Sequence, residues 1–351
     1  MKTRSERRRA IEQDPGRGGC GIVAMAQLDG VASHSLIQRV LGSICSMEHR
    51  GGALGETGDG AGLLIGIDRD FFIPHIAPGR HLDDDEPLAV GTVWFQVGER
   101  NIREIERHVD SILRNRGLQP LGWREVPVDP SAIGERARID TPVMRQILVG
   151  RGHLATESLE GALRDARGAV EVELSGQVAL PSLSQRTVVY KALATATQLP
   201  KFYADLRDPE LKTSVAIGHR RFATNTFSNW HLVQPFQLIA HNGEINTISA
   251  NTSAVRDIAQ RRRGGMPILM RYGSDSAQLD RAVDLLFQMG ARDLPESMRL
   301  AIPPAWGEEY DQADQRGWFE HARQSLGSLG SWEGPAALVA TDGRHLVAQL
   351  D

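Results

Sequence analysis

A cysteine that opens a short apolar run directly after two glycines is an odd place for a packing residue and a good place for a nucleophile. Cys20 stands there, between Gly18-Gly19 and Gly21-Ile22-Val23-Ala24-Met25. Cleavage between Gly19 and Cys20 would give the thiol a neighbour in its own residue, a free α-amino group. An α-amine ordinarily titrates near ~8, so it is partly neutral at neutral pH and can take the thiol proton directly or through one water. One residue would then supply both nucleophile and base. Without cleavage, Cys20 reads as a small buried residue at the start of a strand, since cysteine packs as a small hydrophobe.

Other groups have types suited to holding a substrate. An apolar run over 214–218 leads into His219-Arg220-Arg221-Phe222-Ala223-Thr224-Asn225-Thr226. Adjacent arginines leaving a buried strand are costly unless they meet anions, and a guanidinium fork binds a carboxylate bidentately. A second apolar run, 236–240, ends in His241-Asn242-Gly243-Glu244. There an Asn amide and a Gly N–H aimed at one spot would stabilise an oxyanion. Asn-Gly also makes an ordinary strand-to-helix turn. Asp275, in Gly273-Ser274-Asp275-Ser276, opens a helical stripe. An acid in a first turn suits the helix dipole by itself, and it also suits an ammonium group. Arg50, in Glu48-His49-Arg50-Gly51-Gly52, reads equally as half of an ion pair or as a residue that orders a site.

Elements must position these groups. Residues 21–27 form a buried strand, and Leu36, Ile37, Val40, Leu41, Ile44 and Met47 recur at helical spacing, with Ser33 or Ser35 as cap. Thr57-Gly58-Asp59-Gly60-Ala61-Gly62 is not a nucleotide loop, because Leu63-Leu64-Ile65 after it reads as a strand and no Gly-Lys-Ser/Thr follows. Its glycines allow close backbone approach beside the first strand. Residues 89–97 read as a strand. Ile102, Ile105, Val109 and Ile112-Leu113 mark a helix, although 98–186 is otherwise the least informative stretch. A helix is predicted over 188–206, a second over 246–263, and a third from Ser274, its cap, through Leu279, Val283, Leu286 and Met289. The chain ends in a hairpin around Thr341-Asp342-Gly343-Arg344.

Composition removes whole classes of function. The formal net charge of -4 argues against nucleic acid as the main partner. Two cysteines, Cys20 and Cys45, can neither frame a disulfide scaffold nor ligate an iron–sulfur cluster by themselves. Cys45 reads as packing. Asp83-Asp84-Asp85-Glu86 has no second ligand cluster to make it a metal site and reads as a solvated loop. No apolar run approaches the ~20 residues a membrane helix needs. Residues 1–19 mix Arg4, Arg7, Arg8 and Arg9 with Glu6, Glu12 and Asp14, and break at Asp14-Pro15-Gly16. Lacking an apolar core, they read as a detachable leader and not a secretory signal. Sparse cysteines fit a reducing, cytoplasmic setting. With no repeat and no low-complexity linker, 20–351 reads as one elaborated domain.

The motifs also carry a resemblance. Cys20-Gly21-Ile22-Val23, Glu48-His49-Arg50-Gly51, Thr57-Gly58-Asp59-Gly60-Ala61-Gly62, His219-Arg220-Arg221-Phe222-Ala223-Thr224-Asn225-Thr226, His241-Asn242-Gly243-Glu244-Ile245-Asn246-Thr247, Ser274-Asp275-Ser276 and Trp332-Glu333-Gly334-Pro335-Ala336-Ala337-Leu338 resemble the class II glutamine amidotransferase domain of glutamate synthase large subunits. Their order and spacing follow that family from Cys20 onward; residues 100–180 contribute little. The resemblance implies an α+β fold, the four-layer αββα N-terminal-nucleophile sandwich of two antiparallel sheets. It implies that Cys20, freed of its propeptide, is the nucleophile, with Asn242 and the Gly243 N–H holding the oxyanion. Arg221 would grip the glutamine α-carboxylate, supported by Thr224; Asp275 would take the α-ammonium; Arg50 would order the nucleophile loop. No metal is implied. L-glutamine would be hydrolysed through a Cys thioester, and the ammonia passed to a synthase domain or subunit that makes glutamate from 2-oxoglutarate. FMN and an iron–sulfur cluster belong to that partner, and no cofactor to this chain. The family pattern continues past Asp351 with an Arg-Asn-Gly-Leu-Arg-Pro segment, which leaves open a split subunit or a truncation. Two alternatives stand beside this: a subunit feeding ammonia to a different synthase, and a non-catalytic, unprocessed interaction module.

Overall fold

The computed structural model describes residues 20–47, 51–54, 56–221, 228–263, 273–288, 293–302 and 330–350. The predicted leader 1–19, Arg50 and Thr224 lie outside them. In chain order the first elements are β1 (Gly21–Ala26), α1 (His34–Ser46), the small hairpin β2 (Ala53–Leu54) and β3 (Thr57–Gly58), and β4 (Ala61–Gly66). Next come β5 (Ala89–Phe95), α2 (Ile102–Arg114), β6 (Gln119–Glu125), β7 (Val143–Gly150), α3 (Leu159–Glu173), β8 (Val178–Ser184) and β9 (Thr187–Ala192). The last are β10 (Val215–Arg220), β11 (Ile239–Gly243), α4 (Ile248–Arg263), α5 (Asp275–Gln288), α6 (Leu294–Ala301), β12 (Ala336–Thr341) and β13 (Leu346–Leu350).

Two antiparallel sheets stack face to face. The first runs β1-β10-β4-β9 and the second β11-β12-β13. Side chains alternate across a strand, so each strand of the first sheet feeds two layers. Leu63 and Ile65 of β4, Val188 and Tyr190 of β9, and Ala216 of β10 pack with Ile37, Val40, Leu41 and Ile44 of α1. Their neighbours Leu64, Val189 and Ile217 turn the other way and meet Ala240, Val339 and Leu346 of the second sheet. The far face of the second sheet packs Ile239 and Leu338 against Val255 of α4, Val283 and Leu286 of α5, and Met298 of α6. Helix, sheet, sheet and helices make the four layers of the predicted sandwich.

Residues 89–184 hold a third antiparallel sheet, β6-β7-β5-β8, which the sequence reading did not anticipate. It packs Val93, Phe95 and Ile147 against Ile105 and Val109 of α2 and Leu163 and Val170 of α3. Buried polar groups fasten it to the sandwich. Arg281 of α5 donates to Glu171 of α3 at 2.6 Å, and Arg167 of α3 donates to Gln237, just before β11, at 2.7 Å.

Several expectations change. Residues 188–206 are not a helix: 187–192 form β9, followed only by a short helix, Leu199–Phe202, and a 3-10 turn. Both faces of β9 are buried, so Val188, Val189 and Tyr190 follow one another without the alternation that marks a half-exposed strand. The strand predicted at 236–240 lies at 239–243, so His241, Asn242 and Gly243 are its last residues and not a turn after it. The glycine-rich stretch does lead into β4, but β10 separates β4 from β1. Ser33 stands at the N-cap of α1, yet its hydroxyl bonds Ser35 and not the helix backbone. Ser274 caps α5 as predicted, its hydroxyl accepting the Ala277 N–H at 3.2 Å. Among the described residues no helix is long and apolar enough to cross a membrane, and no group of three or more His, Cys, Asp or Glu could hold a metal ion.

Candidate active site

Cys20 leads into β1, and β1 pairs with β10 so that Gly21 faces Arg220. One more step of that register sets Cys20 beside Arg221. The Arg221 N–H still donates to Gly60 at 2.9 Å, so the backbone keeps its course past the end of β10. Alternation then puts Arg221 on the face of Ile217 and His219, toward the second sheet. Arg220 takes the opposite side: a Cβ on Gly51 would fall 1.8 Å from its Nε, so the 51–54 segment lies directly on that guanidinium. Of the adjacent arginines, the one beside Cys20 is the one that faces the second sheet.

The second sheet brings the amide. Asn242 donates from Nδ2 to the Cys20 carbonyl at 2.8 Å. That bond consumes one of two amide hydrogens and leaves the other beside the cysteine. Burial falls along the strand end: His241 is buried, Asn242 half-buried, Gly243 exposed. The donor end of β11 thus reaches an open rim. Gly243 has φ +119°, and a Cβ there would sit 2.0 Å from the Pro335 carbonyl, so glycine is required. The segment responsible is fixed in turn: Thr247 Oγ1 donates to Ser331 and accepts from the Glu333 N–H, both at 2.8 Å.

Beneath Asn242, His241 is held on every side. The Gln234 amide takes its main-chain N–H at 2.7 Å and donates to its carbonyl at 3.1 Å, as a neighbouring strand would. His219 Nε2 lies 3.2 Å from the same carbonyl. The His241 ring meets Ser276 Oγ at 2.9 Å through Nδ1, and Ser276 Oγ donates to Asp275 Oδ1 at 3.1 Å. Burial, with His241 and Arg221 adding to it, pushes His219 down to about 3. Burial also holds His241 below the usual histidine range, against the opposing pull of Asp275. Two neutral imidazoles therefore underlie the site at neutral pH.

Asn242 bonds the Cys20 carbonyl and Gly243 follows it on β11, Arg221 stands beside Cys20, and Asp275 connects to them through Ser276 and His241. The reading missed Gln234, His219, His241 and Ser276 as supports. The last three sit inside the quoted motifs, His241 directly before Asn242 and Ser276 directly after Asp275, which was the available signal. Gln234 carried none.

Two stacked antiparallel sheets cased in helices, with a cysteine bonded through its main chain to an amide donor at their meeting edge, have the layering of the N-terminal-nucleophile hydrolase fold. Residues 20–351 match the family described as "Glutamine amidotransferases class-II", and the chain belongs to it. It is 34% identical over 348 residues to the "Glutamate synthase [NADPH] large chain" of Bacillus subtilis, covering 95% of this chain and 23% of that one. It is 35% identical over 350 residues to "Ferredoxin-dependent glutamate synthase 2" of Synechocystis, covering 95% and 22%. With the "Glutamate synthase [NADH]" of Saccharomyces cerevisiae it shares 32% identity over 374 residues, 99% of this chain and 17% of that protein. The chain therefore spans roughly a fifth of the length of these relatives.

Proposed function

We propose that this chain hydrolyses the side-chain amide of L-glutamine, with Cys20 as nucleophile. The observation that carries the reading is the hydrogen bond from Asn242 to the Cys20 main-chain carbonyl, which holds a candidate oxyanion donor against the candidate nucleophilic residue across 222 positions of chain. The family match, which begins at Cys20, supports it.

The chemistry follows from the groups. With residues 1–19 removed, the Cys20 α-amine takes the thiol proton, and sulfur adds to the amide carbon. The carbonyl oxygen becomes an anion facing the second Asn242 amide hydrogen and the Gly243 N–H, whose dipoles are fixed before the reaction starts. Collapse of the adduct breaks the C–N bond. The α-ammonium returns its proton to the leaving nitrogen, ammonia departs, and a thioester remains. Water adds to that thioester, and sulfur leaves to regenerate the thiol and release glutamate. Arg221, with Thr224, grips the α-carboxylate, Asp275 takes the α-ammonium, and Arg50 orders the nucleophile loop.

The ammonia would pass to a synthase region, in this chain's assembly, of the kind the relatives' names declare, and glutamate would be made there from 2-oxoglutarate. FMN and an iron–sulfur cluster belong to that region in this reading. A reducing cytoplasm, which keeps Cys20 a thiol, suits the chemistry.

The test is ammonia release from L-glutamine by the purified protein, with its intact mass measured. Loss of residues 1–19 from active material, and no ammonia from Cys20→Ala, are the expected results. Ammonia release by Cys20→Ala at the parent rate would overturn the assignment.

A further inference from the structure

The site just described has two ends on two different elements. The oxyanion donors lie on β11 of the second sheet, and Asp275 lies on the first turn of α5. Glutamine is short, so its α-ammonium and its amide must meet these ends at a fixed separation. A bare carboxylate at a helix start can turn about its χ angles, and something must hold it.

Ser276 does so at both ends. Its main-chain N–H donates to Asp275 Oδ1 at 2.7 Å and its hydroxyl to the same oxygen at 3.1 Å. Both bonds fall on Oδ1, which leaves Oδ2 for a ligand. A serine hydroxyl has one hydrogen. Since that hydrogen goes to Asp275, the 2.9 Å contact with His241 uses an Oγ lone pair, and Nδ1 is the protonated nitrogen of the ring. The chain of donors runs His241 to Ser276 to Asp275, each step pointing at the carboxylate. His241 precedes Asn242, and Gln234 and His219 clamp its backbone. Ser276 and His241 are 3% exposed each, so water cannot substitute for either partner.

We propose that Ser276 is a positioning residue that locks the Asp275 carboxylate and, through His241, ties it to the strand bearing Asn242. It touches no substrate atom. The proposal rests on the reading of Asp275 as the ammonium acceptor.

The test compares L-glutamine with 5-amino-5-oxopentanoate, the same amide without the α-amino group, in the full-length processed protein. Ser276→Ala should raise KM for glutamine about tenfold, the loss of one hydrogen bond to a charged group, and leave KM for the des-amino amide unchanged. Ser276→Thr, which keeps the hydroxyl, should restore most of the difference. If Ser276→Ala does not fold, Ser276→Cys, nearly the same size with a weak donor, should shift KM in the same direction. Equal changes for both substrates, or none for either, would overturn the role of Ser276. Asp275→Ala separates the two levels: if it leaves the preference for glutamine intact, the ammonium assignment itself is wrong; if it abolishes the preference while Ser276→Ala does not reduce it, only the lock fails.

Discussion

The guanidinium of Arg164 on α3 closes on the carboxylate of Asp284 on α5 with two nitrogens, Nε at 2.5 Å from one oxygen and Nη2 on the other. Both side chains are buried, at 4% and 2% exposure. The pair joins the third sheet's helix to the helix whose first residue is Asp275. Burial alone would raise the Asp284 pKa, but Arg164, Arg167 and Arg281 together bring it below the ordinary carboxylate range.

Removing one partner strands a buried charge. Asp284→Ala is expected to cost about 3–5 kcal/mol, whereas Arg164→Met with Asp284→Leu should lose far less, because apolar replacements carry no desolvation penalty. Urea unfolding of the three proteins measures it. A double variant as unstable as the single one would mean that the pair contributes net attraction well beyond its own desolvation.

Asn242→Ala removes the proposed oxyanion donor and its bond to the Cys20 carbonyl. The expected loss is about 10²–10³ in kcat with KM for glutamine changed little, since the donor acts on charge that develops only during the reaction. Steady-state ammonia release gives both constants. A KM effect without a kcat effect would place Asn242 in substrate binding instead.

Gly243→Ala tests the strand end by geometry. The new Cβ would fall 2.0 Å from the Pro335 carbonyl at φ +119°, so either the 333–336 segment or β11 must move. A stability loss on the order of 1–3 kcal/mol is expected from the backbone conformation alone. Activity should fall further than stability explains, because the displaced N–H belongs to the proposed oxyanion pair. Thermal unfolding beside kcat separates the two effects.

The candidate site residues were legible because each stands in a rare combination: cysteine after Gly-Gly, Asn before Gly at a strand end, an acid after a capping serine. The supports were not. Asp280 accepts the main-chain N–H groups of Leu238 and Ile239 at 2.8 and 3.1 Å, and so registers α5 on β11. Yet in sequence it is one more acid in a helix, since its partners are 42 and 41 positions away. The same holds for Asp284, 120 positions from Arg164. Residues 276–286 of α5 are buried all round in the structure, so the polar residues among them need partners, a burial that no sequence period announces. The β9 error has the other cause, a strand buried on both faces whose period cannot be told from that of a buried helix.

Lys191 gives stability a pH dependence of known sign. It lies on the inter-sheet face of β9, 2% exposed, with Nζ donating to the Val233 carbonyl at 2.7 Å and set 4.6 Å from the Phe236 ring. Burial, aided by Arg167 and Arg281 and opposed by Asp280, lowers its pKa from 10.5 to about 7. Between pH 7 and 10.5 the unfolded chain therefore holds one proton more than the folded chain, and stability rises with pH across that window. Below pH 7 both states are protonated and the full penalty applies; above 10.5 it is gone. Lys191→Met keeps the length and removes the titration. Urea midpoints at pH 7 and pH 10 should show the parent gaining on the variant by a few kcal/mol, at about 1.4 kcal/mol per pH unit. A parent-minus-variant difference that stays flat over that range would mean the folded amine remains protonated across it, as in the unfolded chain.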